Sequence, residues 1–322
     1  MSNFLKLLVN EQIKLYVRKS TWAMYILLAV VIIGLATIAQ IYGTSTEEYG
    51  DDWRTELKEE NKQLAKDIEE ISGEEFADAA VEINQEIIDK NNYHLEHDIK
   101  PALYDGWQFV LENQYLTSIL SLFTIIVAAG IVASEFRWGT IKLLLIRPVS
   151  RLKILLSKYV SVLLFALTTL LFLLLFSLIV GSIFFGFRGI NPEIVQMGNN
   201  GFEQVSLIGE IVEGYGFKLV TLVMMATFAF MISTIFRNSG FAIGLAIFLM
   251  MAGNSIKGVL SQYDWSKYVL FANTDLTQYT DGHTPFMEGM TLTFSIVVLL
   301  VYYLVFMVLS WISFTKRDVA GH

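Results

Sequence analysis

Residues 114–158 read QYLTSILSLFTIIVAAGIVASEFRWGTIKLLLIRPVSRLKILLSK. The first twenty, 114–133, carry no charge, and about 20 apolar residues in a helix cover the ~30 Å core of a bilayer. From 134 to 158 the chain then carries Arg137, Lys142, Arg147, Arg151, Lys153 and Lys158 against Glu135, a net +5. A second apolar run follows from Ser157 to Phe187. Two spans joined by a short basic connection have that connection on the cytoplasmic side, because lysine and arginine stay inside.

Working outward from this pair, further apolar runs lie at 21–42, 215–236, 240–256 and 291–314, which makes six spans. The third is entered from residue 152. The basic segments all fall on one side of that arrangement: residues 1–20 are +3, Arg237 separates the fourth and fifth spans, and 315–322 is +1. Residues 43–112 hold 20 acids and 6 bases, while 188–214 and 257–290 are also acidic. The expected fold class is therefore an all-α integral membrane protein with six transmembrane helices. Both termini are cytoplasmic, and an extracellular helical hairpin lies between the first two spans. Its place is the plasma membrane. Trp22 and Trp311 mark the inner interface, and Trp107, Trp265 and Tyr268 the outer one, where amphipathic rings collect.

Composition agrees. The 322 residues are 54% hydrophobic and 17% charged, too few charges for a soluble surface. Aromatics at 13% exclude a disordered chain. Cysteine is absent, which excludes disulfides and thiolate chemistry. The first apolar run is longer than a signal-peptide core and follows 20 residues, so it is read as a retained span.

Outside the spans, Lys6, Asn10, Lys14 and Arg18 form a polar stripe on an apolar amino-terminal helix, which fits the headgroup plane. In 43–112, Leu57, Leu64, Ile68 and Ile71 give one helical arm, and Phe76, Ala80, Ile83 and Ile87 the stripe of a second. Ser72 and Glu75 match a capping box at the start of that second arm. The hairpin reads either as a decorative domain or as a cap that attracts cations. Residues 257–290 are rich in aromatics and suit either a re-entrant hairpin or a surface helix at the outer leaflet.

Catalytic patterns are missing. There is no phosphate-binding Gly-rich loop with Lys-Ser/Thr, so no ATP site, and no His-Glu-x-x-His. His94, Glu96 and His97 lie close in sequence but read as solvated rather than metal-binding. The chain is expected to be no enzyme, with no cofactor or metal of its own and no nucleic-acid partner. Charge within the spans is scarce. Lys218 is the main exception and is expected to snorkel outward, which argues against an ion-coupled transporter.

The informative segment is again 134–158. A helix fits 135–146, with Phe136, Thr140, Leu143 and Leu144 on one face. Pro148 ends it, and Ser150 caps the next helix. Its Glu135, Gly139-Thr140, Leu144, Pro148, Ser150-Arg151 and Lys158 resemble the pattern of ABC-2-type permeases, the membrane subunits of one class of ATP-binding-cassette exporters. The ending Phe314-Thr315-Lys316-Arg317-Asp318-Val319 is similar to that family's close. The resemblance implies a pair of permeases, most simply a homodimer, above two separate ATPase subunits that bind ATP and Mg. Residues 134–151 would be the coupling helix, with Glu135, Phe136, Arg137, Gly139, Thr140, Leu144, Pro148, Ser150, Arg151 and Lys158 carrying ATPase contact or its mechanics. The second and fifth spans would line the dimer interface. There Asn113, Thr117, Ser121 and Thr124 on one helical face, with Met250 and Asn254, are candidates for the translocation pathway or for plain helix packing. Bacterial members of that family commonly export or detoxify peptides, so amphipathic or hydrophobic peptides are the leading expectation. Sodium or small lipophilic drugs come second. A non-transporting membrane sensor or scaffold is the alternative from another class.

Overall fold

The computed structural model describes residues 3–42, 49–72, 77–141, 149–190, 192–198, 201–280, 282 and 284–316. Its elements are α1 Asn3–Tyr16, α2 Lys19–Ile41, α3 Trp53–Ile71, α4 Asp78–Glu96, α5 Gly106–Glu112, α6 Thr117–Arg137, α7 Arg151–Phe185, β1 Glu193–Gly198, β2 Gly201–Ser206, α8 Leu207–Phe236, α9 Ser239–Leu260, α10 Leu270–Asn273 and α11 Leu292–Lys316. A single 3₁₀ turn, Asn113–Leu116, joins α5 to α6.

Among the described residues, five stretches are long and apolar enough to cross a membrane: Lys19–Ile41, Gly106–Arg137, Arg151–Phe185, Leu207–Phe236 and Leu292–Lys316. The molecule is a multi-pass helical membrane protein. The apolar part of α9, Ser239–Gly253, is shorter. Among the spans, α6 and α8 are central and α2 and α11 peripheral: 67% of the apolar window is buried in the first two, against 17% and 22% in the others. The outward faces of α2 and α11 carry Ile26, Val30, Leu300 and Leu304, suited to lipid rather than water.

Polar bonds between helices fix the central pair. The Ser233 hydroxyl donates to the Ala129 carbonyl (2.6 Å) and accepts from the Ala133 amide (3.3 Å). Tyr215 donates to the Val110 carbonyl at 2.9 Å. Small residues permit close approach elsewhere. Gly106 at the start of α5 lies against Gly181 and Ser182 of α7, where any β-carbon would come within 2.8–2.9 Å of Ser182 atoms. The Gly106 amide donates to the Gly186 carbonyl at 3.0 Å.

Four segments gain detail beyond the sequence reading. Before α8, β1 and β2 form an antiparallel hairpin with Gly198 opposite Gly201. Between 257 and 290 the described residues finish α9 at Leu260 and continue as short turns, Asp264–Tyr268, α10 and Leu276–Tyr279. Buried Asn273 knits them, bonding the Lys267 and Val269 carbonyls and accepting from Ser295. The helix expected to start at residue 135 does not start there: α6 runs through Arg137, and the chain turns at Gly139, which has φ +71°. Ile141 is helical again, and 142–148 lie outside the described residues.

The fourth is the acidic hairpin. α3 turns Leu57, Leu64 and Ile68 inward. On α4 the inward face is Val81, Asn84, Ile87, Ile88, Asn91 and His94; of the expected stripe Ile87 turns inward, while Ala80 is exposed and Ile83 is 58% exposed. Side-chain amides join the aliphatic residues there: Asn91 donates to Asn61 (2.9 Å) and Asn61 to Asn92 (3.0 Å). Glu75 of the expected capping box lies outside the described residues, and Ser72 instead closes α3, its hydroxyl donating to the Ile68 carbonyl. Tyr93 stacks on His97 and touches Phe202 of β2.

His94 gives this hairpin a pH dependence. Its Nδ1–H donates to the Ile99 carbonyl at 2.9 Å, and burial pushes its pKa below the ordinary 6.5. The unfolded arm therefore takes up a proton that the folded one resists, so stability present above about pH 6.5 is lost as the pH falls below it. The protection of amides in 78–96, with the intrinsic pH dependence of exchange divided out, should fall between pH 7.5 and 5.5 in the wild type and stay level in His94→Gln. Equal protection at both pH values in the wild type would contradict this.

Candidate functional site

Ser150 stands before α7 with extended backbone and accepts from the Lys153 amide at 3.4 Å. Two turns on, Lys158 points into the protein and is 1% exposed. Glu135 lies on the last turn of α6. A left-handed residue is what the turn after it demands, and glycine supplies that at Gly139 without a β-carbon clash. The turn brings the Thr140 hydroxyl back to donate to the Glu135 carboxylate.

The amino-terminal helix completes the site. Lys158 Nζ is 2.8 Å from Glu11 Oε2 and 3.0 Å from Glu135 Oε1. Lys14 Nζ is 3.0 Å from the same Glu135 oxygen and 3.2 Å from Glu11 Oε1. Two acids and two bases thus alternate in a closed ring, with no net charge. Both carboxylates are buried, and Lys14 is the member open to solvent. Burial disfavours the Lys14 ammonium, but the adjacent Glu11 and Glu135 carboxylates outweigh it and hold its pKa above the usual lysine value. Further bonds pin α1 to α7: Gln12 donates to the Ser161 carbonyl (3.1 Å), and Tyr16 OH meets Thr168 Oγ1 at 2.6 Å. The exposed face of α1, Leu5, Val9 and Ile13, is apolar.

Neighbouring motif residues tie other helix ends to this one. Phe136 meets Phe314 edge-on at 6.4 Å and lies under the Arg237 guanidinium at 4.4 Å. Arg137 and Arg18 both lie over the Trp138 ring. Arg151 donates to the Thr315 carbonyl at 2.9 Å, linking α7 to the end of α11. Leu144 and Pro148 lie outside the described residues. Charge buried in the helices is thus not confined to Lys218, because the apolar runs hide Lys158 and Glu135. Glu11 and Lys14 carry no signal in isolation, although Glu11 is the one acid in a basic segment.

The candidate pathway residues divide. Thr117, Ser121 and Met250 border a cavity of about 230 Å³ with Met225, Thr221 and Phe271. Asn113 faces away, donating to Ser177 of α7 at 3.2 Å. Thr124 is buried and donates to the Leu120 carbonyl, and nothing is described of the Asn254 side chain. Thr117 and Ser121 donate to the Gln114 and Thr117 carbonyls, leaving only their lone pairs to the cavity. Lys218 at its edge does not simply reach for solvent, since its ammonium is 3.1 Å from Asp275 Oδ1. Among the described residues, no group of three or more metal-ligating side chains converges. His94 and His97 bond separate backbone carbonyls, those of Ile99 and Tyr93.

The chain is 42% identical over 323 residues to "Uncharacterized protein YhcI" of Bacillus subtilis (strain 168), which covers 98% of this chain and 100% of that protein. It is 34% identical over 206 residues to "Uncharacterized membrane protein YdbK" of the same organism, over 63% of this chain and 79% of that one. A family model described as "Protein of unknown function (DUF2705)" matches residues 79–320. That match runs from α4 through α11 and takes in Glu135 and Lys158, so the chain belongs to the DUF2705 family.

Proposed function

We propose that this protein is the permease subunit of an ATP-binding-cassette exporter in the plasma membrane. It has six spans with both termini cytoplasmic, pairs with a second permease and is driven by separate ATPase subunits. The cargo is an amphipathic or hydrophobic peptide. The observation that carries the reading is the charge ring: Glu135, Thr140 and Lys158, three positions of the ABC-2-like pattern, meet there in one buried cluster with Glu11 and Lys14 of α1. A rigid junction of this kind transmits a push on the 134–151 segment into α6, α7 and α1 together, which a solvated loop does not.

The test is co-purification from native membranes. The wild type should bring down a stoichiometric ATP-binding subunit. Glu135→Ala should insert normally and lose it, or keep it with hydrolysis no longer stimulated by cargo. Gly139→Pro should do the same, since proline cannot adopt φ +71°. No ATPase with the wild type in any mild detergent, or normal coupling in both variants, would sink the proposal.

A further inference from the structure

The inner cavity has an outer neighbour. Between α4, β1 and the start of α8 lies a chamber of about 960 Å³. Its wall includes Asp78, Glu82, Glu86 and Asp89, spaced four, four and three apart along α4, and Glu210 of α8. Lys218 borders both spaces. Its partner Asp275 borders the inner one, and Thr277, which donates to the same Asp275 oxygen at 2.7 Å, borders the outer. The chain Lys218–Asp275–Thr277 therefore spans the junction between the two.

We infer that the two cavities are one route, closed by the Lys218–Asp275 pair, and that a solute with a cationic head and an apolar body opens it. The acid-lined chamber concentrates cations, because like charges in a concave wall focus the field. A cationic group competes with Lys218 for Asp275 and frees the lysine to swing outward. The pair is partly exposed, 20% at Lys218 and 48% at Asp275, and such pairs are weak enough to exchange partners. On the inner side of the pair, Met225, Met250 and Phe271 accept varied apolar shapes and hold the apolar body while the cationic head reaches Asp275 and then the chamber. The inference rests on the export reading for its direction and names the chemical class of what passes.

The absence of cysteine makes a test direct, since any introduced thiol reports alone. Gln85→Cys places one in the chamber and Met250→Cys one in the inner cavity. The full-length protein in lipid nanodiscs is treated with methanethiosulfonate reagents carrying trimethylammonium or sulfonate. Gln85→Cys should react about fivefold or more faster with the cation. Met250→Cys should react several-fold more slowly than Gln85→Cys and gain up to about fivefold when Asp275→Asn is added, which loosens the pair that closes the path. Restored slow labelling in the exchange Lys218→Asp with Asp275→Lys would support the pair as the barrier. Three results would overturn the inference: no charge preference at Gln85→Cys, a Met250→Cys rate indifferent to Asp275→Asn, or one that stays fast in the exchanged pair. None of these rates needs an ATPase, so a failure here leaves the co-purification result standing, and the reverse also holds.

Discussion

Lys158→Met will cost this protein roughly 3–5 kcal/mol, the usual loss when one partner of a buried ion pair is removed. The ammonium is 1% exposed and serves Glu11 and Glu135 at 2.8 and 3.0 Å. Without it two carboxylates face each other with only half-exposed Lys14 between them. They must then take up protons or pull in water, and α1 comes away from α7. Adding Glu11→Gln should recover much of the loss, because Glu135 then faces Lys14 alone at 3.0 Å and the set is neutral again with no orphaned carboxylate. Thermal unfolding in detergent reads both effects. A Lys158→Met midpoint within about a degree of the wild type would mean that the ring carries no stability.

The second large effect is steric. At Gly106 a β-carbon would come 2.8 Å from Ser182 Oγ and 2.9 Å from the Ser182 backbone nitrogen, and at Gly181 it would come 2.9 Å from Phe109 and 3.0 Å from the Gly106 α-carbon. Side chains can rotate away, but backbone cannot. Gly106→Ala should therefore cost about 1–3 kcal/mol as overpacking, and Gly181→Leu at least as much. Gly216 is the control, since a β-carbon there meets nothing within 4 Å. Gly216→Ala in mid-helix should be neutral or stabilising by about 0.5–1 kcal/mol. If all three variants unfold alike, the close crossing of α5 and α7 is not what holds those helices together.

The helices were legible because spanning a bilayer demands long apolar runs, and such runs survive any detail of packing. The first hairpin arm was legible for a related reason: Leu57, Leu64 and Ile68 keep a helical period and an inward face. The second arm misled in part, because its inward positions include Asn84, Asn91 and His94 while Ile83 looks outward. Hydrophobic period alone cannot find a face held partly by amide bonds. β1 and β2 had a readable signal, Gly198-Asn199-Asn200-Gly201 between two short runs, of the kind that turns a strand back.

At the site, the resemblance to the permease pattern made Glu135 and Lys158 stand out but not their contact. Charges next to apolar runs read equally well as solvated topological markers, and nothing local says that Lys158 turns inward. Glu11 was less visible still, because its partner lies 147 residues away.

That separation sets a schedule. A chain made at about 5–20 residues per second needs roughly 7–30 s to go from Glu11 to Lys158. Until then the amino-terminal helix has no ammonium from the third long helix to receive its acid. It must wait at the membrane surface with Glu11 hydrated, apolar face in the lipid. Docking of the first element is therefore a late event of biogenesis. Nascent chains arrested before residue 158 should leave α1 open to protease, and chains arrested well beyond it should not.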